Sequence, residues 1–143
     1  AWTFGDGNSS NINTPNNTYN NPGSYTVQLI VSNGICTDTS DVIVIVKITD
    51  IEIPEVFTPN GDLHNPYFTI KNLEYFPNAE LQVFNRWGNE VYKMKNYKND
   101  WDGVPNSKGA LGQSKLPTGT YFYILYLNDT EGRQFKGYVQ LLY

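Results

Sequence analysis

Asp100-Trp101-Asp102 sets two carboxylates around one indole, the residue types with which glycoside hydrolases and carbohydrate-binding modules handle sugars. Hydrolysis needs its carboxyls on opposite sides of the scissile bond, roughly 5 to 9.5 Å apart and usually from different elements. Neighbours in one loop rarely supply that. The expected roles are structural, with Asp102 capping the turn at Gly103 and Trp101 closing one end of a β-sandwich. The rival reading is an adhesive module in which Trp101 and exposed tyrosines form a stacking platform for glycans. A second oxygen-rich stretch, Asn60-Gly61-Asp62 with Asn65, could ligate calcium, which takes six to eight oxygen ligands. Only Asp62 is charged there, so turn chemistry is the preferred reading, and calcium held by Asn60, Asp62, Asn65 and backbone carbonyls is the alternative.

His64 and Cys36 are the only residues of their types and fall in different segments, so zinc or a Cys–His nucleophile would have to join the two. Neither a G-x-S-x-G elbow nor a phosphate-binding glycine loop is present. The expectation is a protein that is not an enzyme and needs no cofactor. Arg86-Trp87 is the type of pair that anchors interfaces, Arg86 toward a carboxylate and Trp87 into a pocket. Core filling is the preferred role for Trp87, because burying about 200 Å² of indole at about 25 cal/mol per Å² contributes roughly 5 kcal/mol. The last strand offers Tyr138, Leu141, Leu142 and Tyr143, either to its own sheet or to a partner by β-augmentation.

These residues need a scaffold. Apolar residues at 39% with 11 tyrosines suffice for packed β cores, and a net charge of −4 without a stripe of Lys and Arg argues against nucleic acid. No apolar run approaches the roughly 20 residues of a membrane-spanning helix. Cys36 cannot form an internal disulfide and is expected as a small buried hydrophobe. A pattern change near Thr49 divides the chain into segments 1–49 and 50–143.

In the first segment, Trp2-Thr3-Phe4 runs into the Gly5-Asp6-Gly7 turn. Tyr25, Val27, Leu29 and Val31 alternate with Thr26, Gln28 and Ser32 until Asn33-Gly34 turns the chain back. Asp41 to Lys47 is β-branched nearly throughout and is expected as a central or covered strand. In the second segment, strands are expected at Tyr67 to Lys71, Ala79 to Asn85, Glu90 to Lys95, Thr120 to Leu127 and Gln134 to Tyr143. A long loop from Asn99 to Lys115 separates them. The fold class is all-β, with two immunoglobulin-like antiparallel β-sandwich units, the first incomplete.

The phrases W-T-F-G-D-G and P-G-S-Y-T-V-Q-L-I-V-S-N-G resemble a polycystic kidney disease (PKD) domain that lacks its opening strands. Half a sandwich exposes an apolar face and an unpaired edge, so the natural protein is expected to continue upstream. The second segment carries F-T-P-N-G-D, V-F-N-R-W-G-N-E-V-Y, W-D-G, L-P-T-G-T-Y-F-Y and K-G-Y-V-Q-L-L-Y in order. Together they resemble the type B C-terminal sorting domain of the type IX secretion system, also called the gliding-motility-associated C-terminal domain, of Bacteroidetes. That family commonly has glycine where this chain has Leu63, and Asp where it has Pro66. The resemblance implies Sec export to the periplasm, recognition by type IX machinery with a PorP/SprF-like outer-membrane partner, and a cell-surface or secreted passenger such as a gliding adhesin.

Overall fold

The computed structural model describes residues 1–48, 50–108 and 114–143, and every regular element longer than three residues is a strand. Two compact units divide the chain, Ala1–Thr49 and Asp50–Tyr143.

In the first unit β1 (Trp2–Thr3), β2 (Ser9–Ser10), β3 (Gly23–Ser32) and β4 (Thr37–Val46) form one antiparallel sheet, ordered β2-β1-β3-β4. β3 and β4 pair from Gly23 opposite Val46 to Ser32 opposite Thr37. The hairpin tip closes because Asn33 Oδ1 accepts from the backbone N–H of Ile35 and Cys36, at 3.0 and 2.8 Å. At Gly5 (φ 77°) a Cβ would lie 2.8 Å from the Thr26 carbonyl, so only glycine lets the first turn close against β3. Asp6 then accepts from Asn8 N and Asn17 Nδ2 at 2.9 and 2.8 Å, which ties the polar loop down and lowers its pKa, Asn17 being the larger cause.

Two expectations fail here. Asp41 to Lys47 is neither central nor covered: β4 is an edge strand, and Val42, Ile43 and Ile45 are 58, 64 and 65% exposed. β-branched composition reports strand propensity, and what lies beside the strand is a separate matter. Cys36 is exposed, because the Asn33 turn holds its backbone at the hairpin tip.

In the second unit β5 (Val56–Phe57), β6 (Glu80–Phe84), β7 (Glu90–Lys95), β8 (Gly119–Tyr126) and β9 (Gln134–Leu141) form one sheet, ordered β5-β9-β8-β6-β7. Alternation sends Leu81, Val83, Tyr121, Tyr123, Leu125, Val139 and Leu141 to the buried face. Among the described residues, the layer opposite them is built from connecting segments and a 3-10 turn at Leu73–Tyr75 rather than from a second sheet. Trp101 is its hub, with ring centroids 5.1 Å from Phe57, 5.2 Å from Tyr92 and 6.1 Å from Phe68. Gly137 makes room for this core from within β9, since a Cβ there would lie 2.6 Å from the Tyr123 hydroxyl.

The described residues thus give an all-β protein with one sheet per unit, four- and five-stranded. The sheets are not wholly antiparallel, because β5 pairs with β9 in parallel, Val56 with Gln140 and Phe57 with Leu141. Tyr67 to Lys71 is no sheet strand. Within it Lys71 bridges Glu52, Phe68 N donates to Trp101 O, and the backbone of Ile70 bonds to the side chain of Asn99. A side chain has taken the place of a neighbouring strand. The same device covers the β7 edge, where Asn106 accepts from Lys93 N and donates to Lys93 O, both at 2.8 Å.

Candidate functional site

The F-T-P-N-G-D loop is closed by its own side chains. Asn60 Oδ1 accepts from Asp62 N, Asp62 Oδ1 accepts from His64 N, and Asn60 Nδ2 donates to Asp62 Oδ2 at 2.9 Å. Both Asp62 oxygens are therefore engaged inside the loop. The His64 N–H, then Asn60, hold its carboxyl below the usual range. Asn65 (φ 49°) turns the chain back, its carbonyl accepting from Thr58 N. Among the described residues no three His, Cys, Asp or Glu side chains gather as metal ligands, and His64 and Cys36 lie in different units.

The loop forms one wall of an open cleft of about 550 Å³ whose other walls include Tyr67, Asp102, Lys115 and Tyr143. Lys115 Nζ donates to Pro59 O at 3.0 Å and lies 5.2 Å from the centre of the Tyr143 ring, while the Tyr143 hydroxyl donates to Leu116 O at 2.8 Å. Burial, then the Asp102 carboxylate, raises the Tyr143 pKa. The first and last motifs of the unit meet here with the W-D-G aspartate, which caps its turn by accepting from Val104 N at 3.2 Å. No spacing rule could have joined them, since they lie at opposite ends of the unit's sequence.

Trp101 is 1% exposed, with its Nε1–H donating to Val104 O, so it offers no ring to a glycan. The stacking platform built on Trp101 is excluded by burial. Trp87 reverses the other expectation: it is 76% exposed at the tip of the β6–β7 hairpin, with the Arg86 guanidinium 5.2 Å from its ring centre. The hairpin is tight, Asn85 Oδ1 accepting from the N–H of Trp87 and Asn89, and this throws the indole outward.

On the open face of the sheet, register places Phe84 opposite Phe122 and Phe122 opposite Tyr138. Phe122 and Tyr138 are each nearly half exposed. Phe122 escaped notice in the sequence because Thr120 to Leu127 reads as apolar on both faces; only pairing with Tyr138 shows the aromatic row. Leu142 and Tyr143 are exposed, whereas Leu141 is fully buried, so its side chain belongs to the core. β9 lies between β5 and β8, which places it inside the sheet.

The oxygen-rich loop is thus spent on its own turn, and the exposed aromatics stand on an open sheet face and a hairpin tip. The chain belongs to the family described as the CHU_C Type IX secretion signal domain, which matches residues 51–141, and a PKD domain matches residues 1–47. It is therefore a type IX secretion substrate of Bacteroidetes type, destined for the cell surface or for release, and its signal domain is not an enzyme. Searches of curated proteins and of solved structures returned no match. Among the described residues no helix is long and apolar enough to cross a membrane.

Proposed function

We propose that the second unit is read by the type IX apparatus through Arg86, Trp87 and the adjoining Phe84–Phe122–Tyr138 row, with Leu142 and Tyr143 at the end of the last strand. The partner is a PorP/SprF-like outer-membrane protein that engages the unit after Sec export, and the passenger is an adhesin of the gliding type. The exposure of Trp87 carries this reading. A fold that buries Trp101 completely holds a second tryptophan outside at a hairpin tip beside Arg86, the residue pair that interface anchors favour. The PKD match supports reading the first sheet as one half of an immunoglobulin-like sandwich.

The test is a reporter fused ahead of Ile51 to Tyr143 in a type IX-competent host, with and without the partner. Partner-dependent surface signal that falls at least about tenfold with Arg86→Ala plus Trp87→Ala supports the proposal, a size typical of interface anchors. Export unaffected by that pair, in a protein that melts normally, overturns it.

A further inference from the structure

The free edge of β4 has a defined hydrogen-bonding character. Asn33 N donates to Cys36 O at the closed end of the β3–β4 hairpin, and antiparallel pairs alternate, so the even-numbered residues of β4 bond to β3. The other side of β3 agrees, since Ala1 and Ile30 exchange bonds and its even-numbered residues face β1. The backbone groups of Thr37, Thr39, Asp41, Ile43 and Ile45 therefore point away from the sheet. Among the described residues no strand lies beside them. Edge strands of this length are usually blunted by a proline, a bulge or an inward charge, and from Asp41 to Val46 β4 has none of these.

The sequence of that edge is complementary to itself. When Asp41-Val-Ile-Val-Ile-Val-Lys47 is laid antiparallel on a second copy about Val44, Asp41 stands opposite Lys47 at both ends. Val42 then faces Val46 and Ile43 faces Ile45. In this register the outward-pointing residues Ile43 and Ile45 face each other, as a hydrogen-bonded pair requires, and Val44 meets its own copy in a non-hydrogen-bonded pair. Shifting the centre to Asp41 would bring the two carboxylates together, which like charges disfavour.

We propose that β4 is a homotypic docking edge: two copies of this chain join their first sheets in the plane through Asp41–Lys47, forming a continuous eight-stranded sheet. Contact lies in the plane of the sheet and is compatible with any layer packed on its faces.

Sedimentation of the full chain over a concentration series tests this, with an expected monomer–dimer equilibrium. Asp41→Lys weakens the dimer by about tenfold, because each end then opposes two lysines, and adding Lys47→Asp restores it. In a Cys36→Ser background, Val44→Cys gives a disulfide-linked dimer under mild oxidation, since cysteines directly opposite lie within about 4.4 to 6.8 Å between Cα atoms. Val42→Cys, more open to solvent than position 44, does not link, because its opposite residue is Val46. A monomer at every concentration, or linking at position 42 as efficient as at 44, overturns the proposal.

Discussion

The side chain of Asn99 takes both backbone groups of Ile70: Oδ1 accepts from the Ile70 N–H at 2.8 Å and Nδ2 donates to the Ile70 carbonyl at 3.0 Å. Ile70 is fully buried, so its backbone groups depend on these part-buried bonds. Asn99→Ala is expected to lower the unfolding free energy by about 2 to 4 kcal/mol, since two buried groups lose their partners. Asn99→Gly separates this from backbone strain, because glycine tolerates the left-handed φ of 61° while lacking the amide. A comparable loss in urea titrations of both variants assigns the effect to the hydrogen bonds; a small loss in the glycine variant alone refutes it.

The two tryptophans of the second unit should respond in opposite ways. Trp101→Ala removes the hub of the aromatic core and is expected to cost about 3 to 5 kcal/mol. Trp87→Ala should stay within about 0.5 kcal/mol in stability and fail only in export. Calorimetry on both variants alongside surface display checks the contrast.

Leu63 occupies a left-handed backbone at φ 70° with its side chain exposed, a conformation unfavourable for a residue with a Cβ. Leu63→Gly is therefore expected to raise stability by about 0.5 to 1 kcal/mol, the relieved strain outweighing glycine's greater freedom when unfolded. An unchanged or lowered melting temperature would count against strain at this position.

Tyr97 donates its hydroxyl to Phe68 O at 2.6 Å in the core, and burial, followed by nearby Tyr92 and Asp100, raises its pKa far above the ordinary tyrosine value, against the opposing Trp101 N–H bond. The folded state keeps the proton while the unfolded chain releases it near pH 10, so this contribution is complete below pH 10 and declines as pH rises beyond it. Tyr97→Phe should be less stable at neutral pH and lose stability less steeply between pH 9 and about 11. Parallel slopes in wild type and variant would refute the assignment.

Calcium should not shift the melting temperature, because Asp62 already gives both oxygens to Asn60 and His64. Acid should loosen the same loop. The lowered pKa of Asp62 means that its contribution is present above the unfolded carboxylate value and lost as pH falls through the folded one. A calcium-induced rise in melting temperature that Asp62→Ala abolishes would overturn this reading.

Much of the architecture was legible in the chain. Alternation in Tyr25–Val31 and in Leu81–Val83, the β-branched and aromatic runs, and turns such as Asn33-Gly34 mark strands and hairpins, because side-chain period and turn geometry are local properties. The ordered motifs of the second segment mark a secretion-signal domain, the family that residues 51–141 match. Contacts across the chain decided the rest. Trp87 and Trp101 both lie between strands with a charged residue just before them, yet one is exposed and the other is the centre of the core. Trp101 is held there by Phe57 and Tyr92 from other elements, while the Asn85 turn points Trp87 outward. The same holds for Ile70, whose partner is a side chain 29 residues away, and for Val56–Phe57, which joins the last strand in parallel. A loop has no period to show which way it faces, so only the residues packed against it decide what is core and what is surface.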